Sequence, residues 1–243
     1  MSKPFADLAV AVETPVPAGR GPTVAATLTV EAGGEHLVLL PEKAVWWPDR
    51  RTLLVADVHV GKAAAFRALG VPVPRGTTGE TLDRLSTLAA RWQPRRIVVL
   101  GDFLHSAHAH AAPGTLATLA GWRERHAALD LVLVRGNHDD RAGDPPPALG
   151  IDVVDEPWLE GGLALCHHPQ PHATHYALAG HLHPCVSLAG RAHDRLRLAC
   201  FHFGPRVGVL PAFGAFTGMH PVPRRAGDRV FVVADDLVAA LPG

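Results

Sequence analysis

Five short polar clusters punctuate the sequence. They are D-x-H at Asp57 and His59, G-D at Gly101 and Asp102, G-N-H-D from Gly136 to Asp139, the doublet His167–His168, and G-H-x-H at Gly180, His181 and His183. Carboxylates, an amide and several imidazoles can together hold two divalent cations a short distance apart. A carboxylate has two oxygens, so Asp102 is assigned the bridge between them. One cation then takes Asp57, His59, Asp102 and His183, and the other takes Asp102, Asn137, His167 and His181. His167 is preferred to His168 because it lies nearer its strand. Asn137 suits the set because its carbonyl oxygen ligates without adding a third negative charge. Nitrogen and oxygen donors without a thiolate favour Mn²⁺, Fe²⁺ or Zn²⁺ over a soft metal. His138 adjoins Asn137 without being needed as a ligand, so it is read as catalytic, contacting a phosphoryl oxygen or protonating the leaving alkoxide. Asp139 is expected to orient that imidazole. The chemistry is metal-assisted phosphoester hydrolysis.

The elements that must position these groups follow one pattern. Short apolar runs at 52–59, 96–102, 131–139, 163–168 and 176–183 each end in one of the clusters, and runs of this length read as buried strands. On a strand, residues two apart share a face, which is expected to aim both members of D-x-H and of H-x-H into one cavity. Helices are expected between the first three strands. One runs over 62–69 and stops at Gly70. Another is opened by a capping box of Thr77 and Glu80 and stopped before Pro94. A third runs over 116–129. Strand–helix alternation implies a partly parallel sheet that binds ligands at the carboxyl ends of its strands, where all five clusters fall. A hairpin is expected from Val24 to Leu40, and RLRLACF, RVGVLPAF and RVFVVA read as a second sheet packed on the first.

Composition narrows the field. The chain has 243 residues, 47% of them hydrophobic, with 23 Lys+Arg against 23 Asp+Glu. That suits one α/β domain over 24–243, preceded by a mobile extension over 1–23 rich in Pro, Gly and Ala. No apolar run approaches about 18 residues, so no membrane span is expected. The amino end lacks a basic segment leading into an apolar one, and Cys166, Cys185 and Cys200 form no CxxC pattern. A cytoplasmic protein is expected on both grounds. Zero net charge removes the basic footprint usual for nucleic-acid binding, yet two divalent ions would outweigh Asp57 and Asp102 locally.

Several residues admit a bland reading beside a functional one. Lys62 and Arg67 are read either as phosphodiester contacts on the helix after D-x-H or as solvated side chains. His105 is read as positioning substrate or Asp102, or as bonding within its loop. His168 is kept as a substrate contact. His105, His108 and His110 together read as a solvated loop rather than a metal tract, and for His172 and His175, shortly after His167, substrate contact is the less favoured reading. Trp46 and Trp47 read as packing rather than as base-stacking platforms. A phosphate-loop reading of Gly61-Lys62 fails because position 56 is Ala56. Cys166 is expected to point away from the cavity.

In order, DVH, GD, GNHD, the strand-end histidine and GHLH resemble the calcineurin-like metallophosphoesterase superfamily. LPEKAVWWP, LLVADVHVGKAAAFRALGVPVPRG, GDFLHS, RGNHD, AGHLHP and LPAFGAFTG are similar to the ligase-associated DNA damage response endonucleases of the PdeM family. The likeness runs from about Leu37 to Gly218. It implies a four-layer α/β/β/α sandwich and a manganese-dependent phosphodiesterase or nuclease, with Fe, Zn or Mg as other metals. The implied substrate is DNA, single-stranded, and the implied setting is DNA repair beside a ligase and a helicase. Oligomeric state stays open, a homodimer among the options. Two rival readings remain: a phosphoesterase for a small phosphodiester, cyclic nucleotide or phosphomonoester, and a non-catalytic scaffold of a repair complex.

Overall fold

The computed structural model describes residues 26–73, 76–107, 112–189 and 195–242. The extension expected over 1–23, with His108 and His110, lies outside the described residues. Strands β1 (Leu28–Ala32) and β2 (Glu35–Leu40) form the expected hairpin. Its turn is Gly33-Gly34, both at positive φ, the left-handed pair that a two-residue turn requires. β3 (Ala44–Trp47) and β4 (Thr52–Ala56) continue antiparallel. β5 (Arg96–Leu100), β6 (Asp130–Val134) and β7 (Ile151–Val154) then pair in parallel onto β4, completing a seven-stranded sheet.

The central strands are apolar throughout because both faces are covered. Leu53, Val55, Ile97, Val99, Leu131 and Leu133 pack against helices. Leu54, Ala56, Val98, Leu100, Val132 and Val134 meet a second sheet. The helical layer is α1 (Lys62–Ala68), α2 (Thr77–Trp92), α3 (Pro113–Arg125) and the short α4 (Asn137–Ala142). From α2, Leu82, Leu85 and Leu88 are buried against the sheet, each contributing roughly 2 kcal/mol. The expected Thr77–Glu80 capping box does not form. Gly76 makes the turn at φ 89° with no side-chain cap, so Thr77 is already helical and cannot cap.

The second sheet runs β14 (His220–Pro221), β11 (Pro184–Ala189), β12 (Arg195–Phe203), β13 (Val207–Val209), β10 (Tyr176–Ala179), β9 (Leu163–Leu165), β8 (Trp158–Glu160). β15 (Arg229–Ala234) flanks β12, and β16 (Leu237–Ala240) flanks β15. Leu165, Leu178, Phe201, Phe203 and Leu210 fill the space between the sheets. Helices, first sheet and second sheet thus stack in the order that the α/β/β/α expectation gives. Among the described residues no helix covers the outer face of the second sheet, where Val186, Cys200, Val230 and Val232 pack with Val222 and Leu241. Among the same residues no helix is long and apolar enough to cross a membrane.

Trp46 and Trp47 leave β3 on opposite faces. Trp47 is buried between the sheets with its indole N–H donating to Glu35, and Trp46 packs on Trp92 at 5.6 Å between ring centroids. Neither offers a free face to a base.

Candidate metal centre

Strands β4, β5 and β10 stop one to two residues short of the chemistry, which lies on the loops that follow them. Asp57, His59, Asp102, His181 and His183 all have positive φ, between 47° and 72°. The strand alternation expected for D-x-H and H-x-H is therefore corrected. Left-handed residues at every second position, rather than a pleat, turn both side chains of each pair inward. Such backbone costs about 1–3 kcal/mol per residue and collects where function demands it. The loops are held by one another: Asp57 N–H donates to the Gly101 carbonyl, His59 N–H to Asp102 and Val60 N–H to Phe103. Gly101 lets His167 in. A Cβ at Gly101 would sit 2.0 Å from His167 Nδ1, on a backbone at φ 75°.

The structure gathers Asp57, His59, Asp102, Asn137, His167, His181 and His183 at this place. Asp57, Asp102, His59 and His167 are buried. Two groups form around Asp102. Its Oδ1 lies 3.5 Å from His167 Nε2, and its Oδ2 lies 3.8 Å from His59 Nε2. On the first side, His59 Nε2 and His183 Nε2 face each other at 3.4 Å, and His183 Nε2 is 3.6 Å from Asp57 Oδ1. On the second side, His167 Nε2 meets Asn137 Oδ1 at 2.9 Å and His181 Nδ1 at 3.0 Å.

The outer nitrogens set the tautomers. His167 Nδ1–H donates to the Leu100 carbonyl at 3.2 Å, and His183 Nδ1–H to the Gly218 carbonyl at 3.1 Å. Each ring then turns a bare Nε2 inward. The bare Nε2 of His167 then faces the Asn137 Oδ1, two lone pairs within hydrogen-bond distance that a shared cation relieves. Oxygen and imidazole donors without a thiolate suit a divalent transition metal, so these residues fit one cation on each side of Asp102. Charge on two of the imidazoles is disfavoured. Burial lowers the pKa of His59, helped by Lys62 and the neighbouring imidazoles, and burial likewise lowers that of His181.

His138 sits beside the centre. Its Nδ1–H donates to the His105 carbonyl at 2.8 Å, and its Nε2 lies 3.9 Å from Asp102 Oδ2. The expected orienting role of Asp139 is corrected. Its carboxylate is fully buried and accepts from the backbone amides of Phe103, Leu104 and Gly136. It ties the G-N-H-D turn to the loop after β5. Burial pushes its pKa up to about 7 against the pull of those amides.

Lys62 opens α1 half-buried; burial lowers its pKa while Asp102 and Asp57 raise it, which puts its ammonium within their field. Arg67 lies in the last turn of α1. His105 stacks on His138 at 5.0 Å and brings its Nδ1 to 3.5 Å from His59 Nδ1, so it backs a donor. Burial, then Lys62 and His138, push its pKa down to about 4. His168 turns to Glu156, 2.5 Å from its Nδ1. Glu156 gave no signal in the sequence, yet its carboxylate also accepts from the backbone amides of His167 and His168 at 2.6 and 2.8 Å. Cys166 is buried beside Ala164 and Ala179, and burial pushes its thiol up to about 11. A cavity of about 630 Å³, with Leu182, His202 and Arg206 among its lining, holds none of the proposed metal donors.

Two stacked sheets with this cluster at their adjoining loop ends define a metal-dependent phosphoester hydrolase, and the chain belongs to the calcineurin-like phosphoesterase family, whose model matches residues 50–207. Among solved structures it is similar to the nuclease MPE of Pseudomonas putida. The two are 47% identical with a TM-score of 0.78, over 88% of this chain and 100% of that one. The phosphoesterase YfcE of E. coli is 15% identical with a TM-score of 0.35, over 76% of this chain and 88% of that one. No curated protein matches the sequence.

Proposed function

We propose that this protein is a two-metal nuclease that hydrolyses phosphodiester bonds of DNA, in single strands. The observation that carries the reading is Asp102, whose two carboxylate oxygens face two separate donor groups. Asp57, His59 and His183 would complete one cation site, and Asn137, His167 and His181 the other. Two bound cations supply positive charge to the phosphoryl oxygens and acidity to the attacking water. The protein's own residues do the rest. His138, with Nδ1 fixed on the His105 carbonyl, presents Nε2 for a proton bound for the leaving oxygen. Lys62 adds a positive charge on the side of α1.

Similarity to a nuclease along that protein's whole length supports a nucleic acid over a small phosphodiester, and the resemblance to the PdeM family supports DNA. That resemblance also supports Mn²⁺ and a repair role beside a ligase and a helicase, and a cytoplasmic setting is proposed on the cysteines. Three buried free thiols fit a reducing compartment. Residues 24–243 are taken as one domain. The test is cleavage of end-labelled single- and double-stranded DNA with Mn²⁺, Mg²⁺, Zn²⁺ or Ca²⁺. Metal-dependent cutting of single strands that a chelator abolishes is expected. Turnover of a small aryl phosphodiester without any cutting of DNA would overturn the nuclease reading and leave the phosphoesterase.

A further inference from the structure

Seven phenylalanines lie among the described residues, and five of them are core. Phe103 and Phe213 belong to the helix-side cluster, and Phe201, Phe203 and Phe231 to the space between the sheets. Phe66 and Phe216 join no buried cluster. Both are half-buried, and they pack on each other edge to face, with centroids 5.9 Å apart at 86°. They come from different elements, Phe66 from α1 and Phe216 from the loop after β13.

Both rings lie beside the metal centre, Phe216 next to a donor and Phe66 one ring further out. Phe66 tilts against His105 at 6.0 Å, and His105 is 3.5 Å from His59. Phe216 lines one small pocket with His59, Lys62, Thr78 and Thr81. Its loop is fixed at both ends, because Gly214 N–H donates to the Asp57 carbonyl and the Gly218 carbonyl accepts from His183. In its middle, Ala215 N–H donates to the Thr81 hydroxyl. Two large apolar rings kept partly open beside a site that would hold two cations do little for the core. They suit a ligand with a flat apolar face attached to an anion.

We infer that Phe66 and Phe216 form a stacking platform for a base of the nucleic-acid strand whose phosphodiester lies at the metal centre. The inference rests on the nuclease reading above and names how the same site would hold its substrate. Stacking ignores base identity, since every base has a π-face, and it requires an unpaired base. The platform therefore favours single strands without favouring a sequence. It also takes the role that buried Trp46 and Trp47 cannot fill.

The test compares the full-length protein with Phe66→Leu and Phe216→Leu on three substrates. These are an oligothymidylate, an abasic deoxyribose-phosphate chain of the same length, and methyl p-nitrophenyl phosphate. Each substitution is expected to raise KM for the oligothymidylate about tenfold with kcat little changed. Rates on the abasic chain and the small diester should stay within about twofold, which also shows that the variants are folded. An unchanged KM for the oligothymidylate, or equal losses on all three substrates, would overturn the platform while leaving the nuclease reading in place. If the wild-type protein hydrolyses only the small diester, both fall.

Discussion

The two sheets bring unlike donors to the centre. The loops after β4 and β5 of the first sheet and the first residue of α4 supply oxygen and one imidazole, through Asp57, His59, Asp102 and Asn137. Loops of the second supply imidazoles alone, through His167, His181 and His183. Each set is braced by the other. The Asp57 carboxylate accepts from the His181 amide at 2.9 and 3.1 Å, while the His167 ring is fixed by the Leu100 carbonyl. Neither half is a site by itself, and the centre exists only where the sheets stack. Asp102 faces both halves, so its removal should have the largest effect. Asp102→Ala is expected to lower metal-dependent phosphodiester hydrolysis by about 10³-fold or more, read by initial rates beside metal content. A purified, folded variant with full activity would break the two-sided picture.

His138 sharpens the division because it belongs to neither donor set. His138→Ala should retain both metals, counted by elemental analysis, and lose about 10²-fold in kcat. Loss of a metal equivalent would instead make it a ligand. The brace between the sheets is probed next. Gly101→Ala places a Cβ against the His167 ring on a left-handed backbone. It should cost about 2 kcal/mol in urea denaturation and weaken the second cation site more than the first.

How much of this was legible in the sequence differs along the same division. The candidate residues were readable because polar clusters end apolar runs, and the structure brings all seven of them to one place. What positions them was not readable. Alternation along a strand was the natural reason for D-x-H and H-x-H, but the strands end at Ala56 and Ala179, and positive φ at Asp57, His59, His181 and His183 does that work. Left-handed aspartate and histidine leave no mark in composition. Asp139 looked like a partner for the imidazole next to it, because adjacency is all a sequence offers. Three backbone amides, two of them about 35 positions away, hold its carboxylate instead. The Thr77 capping box failed for a similar reason. The pattern fits, but Gly76 had already made the turn.

Glu156 gives the finest test of the brace. It contacts none of the inward nitrogens. It holds the His167–His168 turn through two amides and the His168 ring, so it orients a donor from behind. Partners of this kind typically carry about 10–100-fold in metal affinity or activity. Glu156→Gln keeps the shape, weakens the charge-assisted bonds, and should loosen the second cation about tenfold while sparing the first. A metal titration followed by hydrolysis checks this. The acid limb of stability offers a second readout. Burial raises the Glu156 pKa, but the His168 side chain and the two amides outweigh it, and the net shift is below the usual 4.5. A carboxylate depressed in the folded state gives its full stability above that ordinary value and loses it as pH falls through the folded one. Metal-free wild-type protein should therefore lose this contribution below about pH 4.5, and Glu156→Gln should show a shallower acid limb. Identical limbs, with metal affinity unchanged, would reduce Glu156 to a surface acid and leave Leu100 as the brace of the outer His167 nitrogen.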